Sequence, residues 1–200
     1  MATEETKPRL ILISLNFQPS FDDTYGSTLA QLRSKANLYH AKEADSAIRL
    51  LSDEPTPLVV LITDEALSIN RNVGVWNAVL QYVRHGGTSV VMGNFPSFVR
   101  PSSIKPFFTK AGLQTLVLNQ ESRDYDSAAK LPSQCNPKAL FVKNVALSDA
   151  WYVTDESAVV QSSVFGPTSA NIMGETPIAL ARVSNGKLGY IGDVNAPKKI

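Results

Sequence analysis

The sequence has a single cysteine, Cys135, among its 200 residues. One cysteine cannot form an intrachain disulfide framework or a zinc site built from several cysteines. Only two histidines, His40 and His85, are present. We therefore expect Cys135 to be structural or incidental, and we predict neither a metal nor a cofactor.

Neither sign of charge predominates, since the formal net charge is +1. This balance gives no overall electrostatic attraction for nucleic acid or for an anionic membrane. No apolar run approaches the ~20 residues of a transmembrane helix, and Met1 to Arg9 lack the apolar centre of a secretory signal. We expect a cytoplasmic protein that binds neither nucleic acid nor membranes, with residues 1–9 as a disordered lead.

The apolar content is high enough for a sizeable core, with 44% hydrophobic and 18% charged residues. Three nearly continuous apolar runs of strand length occur in the first half, at Leu10–Leu15, Leu58–Thr63 and Ser89–Met92. Such runs are typical of strands that are covered on both faces. Because helical patterns alternate with them, the sequence predicts an α/β fold with a mainly parallel sheet in one domain over residues 10–200.

The clearest local unit is a helix, a turn and a strand between Val75 and Phe95. Apolar residues recur there at helical spacing, and positive charge falls in the last turn, where it suits the helix dipole. Gly86-Gly87 then ends the helix, because glycine adopts a left-handed conformation at little cost. The buried stripe of this helix is expected to consist of Trp76, Val79, Leu80 and Val83.

Turn-forming residues fill Asn16–Gly26, which is therefore predicted to be a long loop, with Ser27 capping a helix over Thr28–Ala36. Further on, a helix is predicted over Ser102–Ala111, with Pro106 in its first turn.

The last third of the chain is less regular. Residues 119–137 show no clear period and are predicted to form an irregular loop. Two strands, Thr176–Arg182 and Lys187–Asp193, flank Asn185-Gly186, a combination that predicts a C-terminal β-hairpin.

Two stretches resemble a known family. The helix-turn-strand unit reads YVRHGGTSVVMGNF, and the closing stretch reads TPIALARVSNGKLGYIGDVN. Both resemble class I glutamine amidotransferase-like proteins, in particular fungal and trehalose-utilisation-type members. The resemblance covers most of Leu10–Asn195 apart from residues 119–137, and it implies a flavodoxin-like three-layer sandwich.

The catalytic residues of the family's enzymes are missing. Those enzymes carry a cysteine nucleophile on the turn after the strand that corresponds to Ser89–Met92, where this chain reads GNFPS. Their histidine-glutamate pair near the last strand is also absent, because no histidine follows His85. We therefore assign no catalytic residue and predict no glutaminase activity.

A serine could in principle replace the missing cysteine. Ser97 follows the turn and Ser14 lies near the end of the first strand, but a serine nucleophile needs a base, normally histidine. His85 is expected at a helix end on the opposite edge of the sheet, and His40 in a short strand, so neither is well placed for Ser97. A G-x-S-x-G motif is also absent.

Polar residues follow several predicted strands directly. Parallel strands bring their carboxyl ends to one edge of the sheet, where ligands of open α/β folds bind. Carboxylate and amide groups gathered there could hold sugar hydroxyls or a hard cation, although the same residues also cap helices and close turns. The candidate ligand-binding residues are Asn16, Asp64, Glu65, Asn94 and Asp193.

Three functional hypotheses follow. The first is a degenerate, non-catalytic amidotransferase-like domain that binds a small molecule or a protein partner. The second is an enzyme that uses carboxylates on a carbohydrate-like substrate, which the trehalose-utilisation resemblance implies. The third is self-association into a homo-oligomer through apolar positions such as Phe98, Val99 and Phe165.

Overall fold

The computed structural model describes residues 7–113, 116–122, 125–127, 134–135, 138–153, 159–160, 168–169 and 175–194. Its strands are β1 (Arg9–Ile13), β2 (Asn37–Ala41), β3 (Val59–Ile62), β4 (Thr88–Val91), β5 (Leu116–Ser122), β6 (Tyr125–Ser127), β7 (Gln134–Cys135), β8 (Lys138–Lys143), β9 (Tyr152–Val153), β10 (Val159–Val160), β11 (Thr168–Ser169), β12 (Glu175–Thr176), β13 (Ile178–Val183) and β14 (Gly186–Ile191). The helices are α1 (Ser20–Lys35), α2 (Ala44–Ser52), α3 (Val73–Arg84), α4 (Phe95–Phe98) and α5 (Pro101–Lys110), with 3-10 turns at Glu65–Ser68 and Asn70–Asn72.

Six strands form the main sheet, in the order β13-β14-β4-β3-β1-β2. Neighbours from β14 to β2 run parallel, and only β13 pairs antiparallel, as the hairpin partner of β14. The predicted flavodoxin-like α/β fold with a C-terminal hairpin is thus confirmed. Strands β4 and β3 occupy the centre of the sheet, and β1 lies one strand in from the β2 edge.

Helices cover both faces of this sheet. Successive side chains of a strand point to opposite faces, so Ile11 and Ile13 join the core cluster that contains the α3 and α5 side chains, while Leu12 joins the cluster of α1. The four α3 residues predicted to form its buried stripe are all at most 2% exposed. The same alternation places each residue that follows a strand on either the α1 face or the α3 and α5 face of the sheet.

The turn after α3 brings the hairpin close to the helix. His85 occupies the C-terminal cap of α3, and Gly86 has a φ of 108°, as predicted for a glycine that ends a helix. Gly186 packs against this turn so tightly that a Cβ atom would lie 2.1 Å from the Val83 carbonyl oxygen. Because that neighbour is backbone, only glycine fits at the start of β14.

The first helix begins much earlier than the sequence predicts. Asn16–Gly26 was expected to be a loop and Ser27 a cap, but α1 starts at Ser20, so Ser27 lies inside the helix. Phe21, Tyr25 and Leu29 repeat every four residues and pack on one cluster. Pro, Ser and Asp favour turns, yet they are equally suited to the first turn of a helix, so the composition of this stretch misled the prediction.

Two local expectations also need correction. Pro106 is the sixth residue of α5 and not part of its first turn. In the hairpin, Val183 pairs with Gly186, so the two turn residues are Ser184 and Asn185, and Ser184 adopts a φ of 55°.

The segment between α5 and the hairpin forms small antiparallel sheets. Their strand orders are β12-β8-β5, β7-β6-β9 and β10-β11, so strands β5 to β7 run through part of the 119–137 stretch that was expected to be a loop. The segment contacts the main sheet where the Tyr190 hydroxyl donates to the Leu140 carbonyl at 2.8 Å, and burial raises the pKa of this phenol. The paired residues of these strands are far apart in the sequence, so the periodicity of neighbouring side chains does not reveal the pairing.

The N-terminal boundary shifts as well, because Arg9 is buried in β1 rather than part of a lead. Residues 1–6, Phe165 and Asn195 lie outside the described residues. The assignment of residues 10–200 to one domain stays a prediction. Among the described residues, no helix is long and apolar enough to cross a membrane.

Candidate functional site

The turn after β4 is the one that the resemblance to amidotransferase-like proteins compares with their nucleophile turn. Gly93 has a φ of 67° there, the left-handed conformation that a sharp strand-to-helix turn requires. A Cβ atom on Gly93 would lie 3.1 Å from the Thr63 carbonyl oxygen and 3.2 Å from Cε2 of Phe21. The ring of Phe21 and the Thr63 carbonyl therefore crowd the position from which a side chain at this turn would start.

Three of the five predicted site residues are joined by hydrogen bonds. The backbone N–H of Asn16 donates to Oδ2 of Asp64 at 2.7 Å, and its side-chain Nδ2 donates to Oε1 of Glu65 at 2.6 Å. These contacts connect the end of β1 to the end of β3, as expected for adjacent parallel strands.

Asp64 is the most perturbed carboxyl group of this cluster. It is only 3% exposed. Its pKa is raised to about 6, mainly by burial and to a smaller extent by the nearby charge of Glu65. The N–H groups of Asn16 and Ala66 act in the opposite sense, because they stabilise the ionised form. Its Oδ1 accepts the bond from Ala66 at 3.0 Å, so Asp64 also caps the 3-10 turn that follows β3.

The other two predicted residues occupy different positions at the edge. Asn94 is anchored through its backbone, since its N–H donates to the Thr63 carbonyl at 2.8 Å. Asp193 forms a β-bridge with Ala139. The pKa of Tyr25 on α1 is raised first by burial and then by the charge of Asp193, which therefore lies within electrostatic reach of α1.

A second polar cluster, which the sequence did not predict, lies on the α1 side. Nε2 of His40 and Oγ of Ser14 are 2.8 Å apart, and Ser14 also bonds the hydroxyl of Thr63. The three residues follow Leu38, Leu12 and Leu61 by two positions each, and those leucines all pack on α1. The contact between Ser14 and His40 could have been predicted from the alternation of side chains along parallel strands, but only if β2 was known to lie beside β1.

This hydroxyl-imidazole cluster is enclosed. Ser14 and Thr63 are each 2% exposed, and Phe17 packs edge-on against the His40 ring, with centroids 5.5 Å apart. The pKa of His40 is lowered, first by burial and then by the charge of Lys42, whose Nζ lies 3.5 Å from the Phe17 ring centre. A small cavity of about 20 Å³ lies beside Thr63, between the sheet and α1.

On the opposite side of the same edge the surface opens into a groove of about 600 Å³, which we call the α5 groove. One wall is the segment after β3. The other wall is formed by α4, by α5 and by Arg100, which lies between these two helices. The residues that line it are Glu65, Leu67, Ser68, Ile69, Asn70, Trp76, Phe98, Arg100, Ser102, Ser103, Pro106, Phe107 and Lys110. Volumes of this size are usual for small-molecule sites.

Trp76 forms part of the groove lining and stacks on Phe107, with ring centroids 4.0 Å apart. Its indole Nε1 is buried and finds no hydrogen-bond partner in the part of the chain that the structure describes. A buried donor without an acceptor is costly, so such groups are concentrated at functional or strained positions.

A wider depression of about 770 Å³ lies at the opposite, amino edge of the sheet, near Pro57, Tyr82 and Gly86. Ligands of open α/β sheets bind outside the carboxyl ends of the strands, which favours the α5 groove as the candidate site. Over the described ranges, no group of three or more His, Cys, Asp or Glu residues could hold a metal ion.

Comparison with known proteins gives structural matches alone. No protein-family profile and no curated protein matches the sequence. The fold is similar to that of a ThuA-like protein from Bacteroides uniformis, with a TM-score of 0.59, 10% identity, and coverage of 96% of this chain and 84% of that one.

The fold also matches part of two glycosidases. These are the exo-β-1,4-mannosidase Op5Man5 from an Opitutaceae bacterium (TM-score 0.50, 9% identity) and a β-galactosidase from Bacillus circulans (TM-score 0.52, 10% identity). The match covers 94% of this chain in both cases, but only 31% and 29% of the enzymes. At such identities the likeness shows a shared fold and no shared activity.

Proposed function

We propose that this protein is a non-catalytic, amidotransferase-like domain that binds a small molecule in the α5 groove. The observation that carries the proposal is the contrast at one sheet edge between a filled nucleophile position and an open groove. The groove has the volume of a ligand site, and its lining combines charged, hydroxyl, amide and aromatic groups. Glu65 belongs to the lining, so the predicted cluster of Asn16, Asp64 and Glu65 supports the groove from one side.

The geometry at Gly93 supports the non-catalytic part of the proposal. A nucleophile must project from the turn and be approachable by substrate, but a Cβ atom at Gly93 would lie within 3.2 Å of both Phe21 and the Thr63 carbonyl. Ser14 and His40 have the chemistry of a serine nucleophile and its base, yet Ser14 is only 2% exposed.

A carboxylate-based enzyme acting on a carbohydrate-like molecule is the second candidate. It is favoured by the pKa of Asp64, which is raised to about 6, because a general acid must hold its proton near neutral pH. Against it, Asp64 is 3% exposed and both of its oxygens already accept backbone N–H groups. Asp64 is therefore better suited to holding the 3-10 turn than to contacting a substrate.

The proposal can be tested by tryptophan fluorescence, since the chain has only two tryptophans. In a Trp151→Phe background, Trp76 of the groove lining is the only tryptophan, and its emission under tryptophan-selective excitation should respond to a ligand bound nearby. We would titrate sugars, sugar acids, amino acids and dicarboxylates, and record thermal stabilisation in parallel. Binding whose affinity Glu65→Gln changes and the exposed-site control Glu43→Gln leaves unchanged would support the groove.

Three results would contradict the proposal. The first is binding that is insensitive to Glu65→Gln. The second is the absence of any small-molecule response together with capture of a protein partner. The third is turnover of a glycoside that disappears in Asp64→Asn, which would favour the carboxylate enzyme instead.

A further inference from the structure

The α5 groove is elongated and follows one helix. Arg100 immediately precedes α5 and Lys110 is its last residue, so about 15 Å of helix axis separates them at the α-helical rise per residue. Between them, Pro106 and Phe107 face the groove, three and four residues after Ser103 and four and three before Lys110, which places them on the same side of the helix. The groove therefore has a positively charged residue at each end.

Among the residues that the structure describes, no carboxylate pairs with either charge, that of Arg100 or that of Lys110. The one carboxylate of the lining, Glu65, already accepts a hydrogen bond from Asn16. The groove thus carries two cations against one anion, and its charge is complementary to an anionic ligand.

The middle of the groove is apolar. Phe107 and Pro106 contribute from α5, and Phe98 and Ile69 from the flanking segments. Phe98 is 53% exposed and Ile69 is 39% exposed, so both have apolar surface that a ligand would cover. Burial of such surface is favourable in proportion to its area.

We propose that the ligand of the α5 groove is an elongated small molecule with an anionic group at each end and an apolar middle. This inference rests on the proposed function, since it names the class of ligand bound at the same site. Arg100 pairs with one anionic group through its planar guanidinium, and Lys110 attracts the other as a point charge. Carboxylate and phosphate ends share this chemistry.

The dimensions favour a small molecule over an acidic peptide or protein. The groove volume of about 600 Å³ lies within the range of small-ligand sites. A stable protein partner would instead cover roughly 800 Å² of this chain's surface. A short monoanion fits the volume but can reach only one of the two cations.

The test uses α,ω-dicarboxylates of increasing length, namely succinate, adipate, suberate and sebacate, with octanoate as the single-charge control for suberate. Binding is measured by Trp76 fluorescence in the Trp151→Phe protein at low ionic strength. We expect affinity to rise along the series until both cations are reached, with suberate or sebacate about fivefold tighter than octanoate, as one additional exposed charge pair gives. A parallel series of α,ω-bisphosphates distinguishes phosphate from carboxylate ends.

Single substitutions then locate the two ends. Arg100→Gln and Lys110→Gln should each reduce the affinity for suberate to that for octanoate. The affinity for octanoate itself should change less, because its one carboxylate can still pair with the remaining cation. Lys105→Gln is the matched control, because Lys105 is an exposed lysine of the same helix outside the groove. Added salt should remove most of the preference for two charges, since exposed charges are screened.

Several outcomes would overturn this inference. Equal affinity for suberate and octanoate would do so, and so would equal effects of Lys105→Gln and Lys110→Gln, or the absence of dicarboxylate binding. If a neutral sugar binds in a Glu65-dependent manner while dicarboxylates do not, the proposed function stands and only the ligand class is wrong. If no small molecule gives a groove-dependent response, both proposals fail.

Discussion

The two sides of the sheet's carboxyl edge are built from neighbouring residues of the same strands, yet one is filled and the other is open. On the α1 side, Ser14, His40 and Thr63 are enclosed by aromatic rings beside a cavity of about 20 Å³. On the other side, Asn16, Asp64 and Glu65 border a groove of about 600 Å³. A polar cluster at a strand end is therefore not sufficient to define a binding site.

What differs is the element that covers each cluster. The first turns of α1 lie over the α1 side and insert Phe21 beneath the turn at Gly93. On the opposite side, the chain passes from β4 through the four-residue α4 to Arg100 before α5 begins. This connection leaves Phe98 half exposed and creates the wall of the groove. Function at this edge is thus decided by the covering segments as much as by the polar residues.

The largest change in stability is expected from removing the Phe21 ring on the α1 side of the sheet. Phe21→Ala removes a ring that is 3% exposed, and it should lower the free energy of unfolding by about 3–5 kcal/mol, as for other buried phenylalanines. Phe98→Ala, at a ring that is 53% exposed, is the matched control and should cost less than about 1 kcal/mol. Urea denaturation of both variants measures the difference, and equal losses would mean that the two sides are packed alike.

The next effect concerns the pH dependence of the Asp64 side. A pKa raised to about 6 in the folded state means that folded Asp64 keeps a proton that the unfolded chain has released. Its contribution to stability is therefore complete below the unfolded pKa near 3.8 and is lost as pH rises through about 6. Relative to Asp64→Asn, the wild type should lose roughly 3 kcal/mol over this range.

Denaturation of the wild type and Asp64→Asn at several pH values between 4 and 7 measures this difference. A constant offset between the two proteins would show that Asp64 has an ordinary pKa. Asp53→Asn serves as the control for removal of a more exposed carboxylate, because the Asp53 side chain is 50% exposed.

A smaller effect is expected in the hydroxyl-imidazole cluster. The pKa of His40 is lowered, so the unfolded chain binds a proton before the folded protein does. The stability that His40 contributes is present above the unfolded pKa near 6.5 and is lost as pH falls through the folded value. His40→Gln should therefore lose less stability than the wild type between pH 7 and pH 5, and His85→Gln provides the comparison at an exposed site.

Ser14→Ala should cost about 1 kcal/mol at pH 7, because it removes the hydroxyl shared by His40 and Thr63. A fluorophosphonate reagent should leave Ser14 unlabelled. Labelling that disappears in Ser14→Ala would show instead that the α1 side opens and carries a reactive serine.

The smallest effect is a null result for glutamine hydrolysis. Because Gly93 and Asn94 occupy the turn of the missing nucleophile, we expect no release of ammonia from glutamine. We also expect Cys135→Ser to leave ligand binding and stability nearly unchanged. Ammonia release that depends on Cys135 would contradict the non-catalytic assignment.

The sequence by itself determined the fold and one half of the carboxyl edge. Continuous apolar runs and a helical stripe are local periodicities, so the parallel strands and the buried face of α3 could be predicted from neighbouring residues alone. The pairing of Asn16 with Asp64 and Glu65 followed from the same reasoning, because each residue comes directly after a predicted strand.

The tertiary structure decided which polar residues are covered and where a groove remains. Ser14 meets His40 only because β2 lies beside β1 in a particular register, and Phe21 fills the turn at Gly93 only because α1 begins at Ser20. The α5 groove likewise combines Glu65 with Arg100 and Lys110, more than thirty residues further along the chain. Side-chain periodicity is a local property, whereas strand order, register and the space left between packed elements depend on the whole chain.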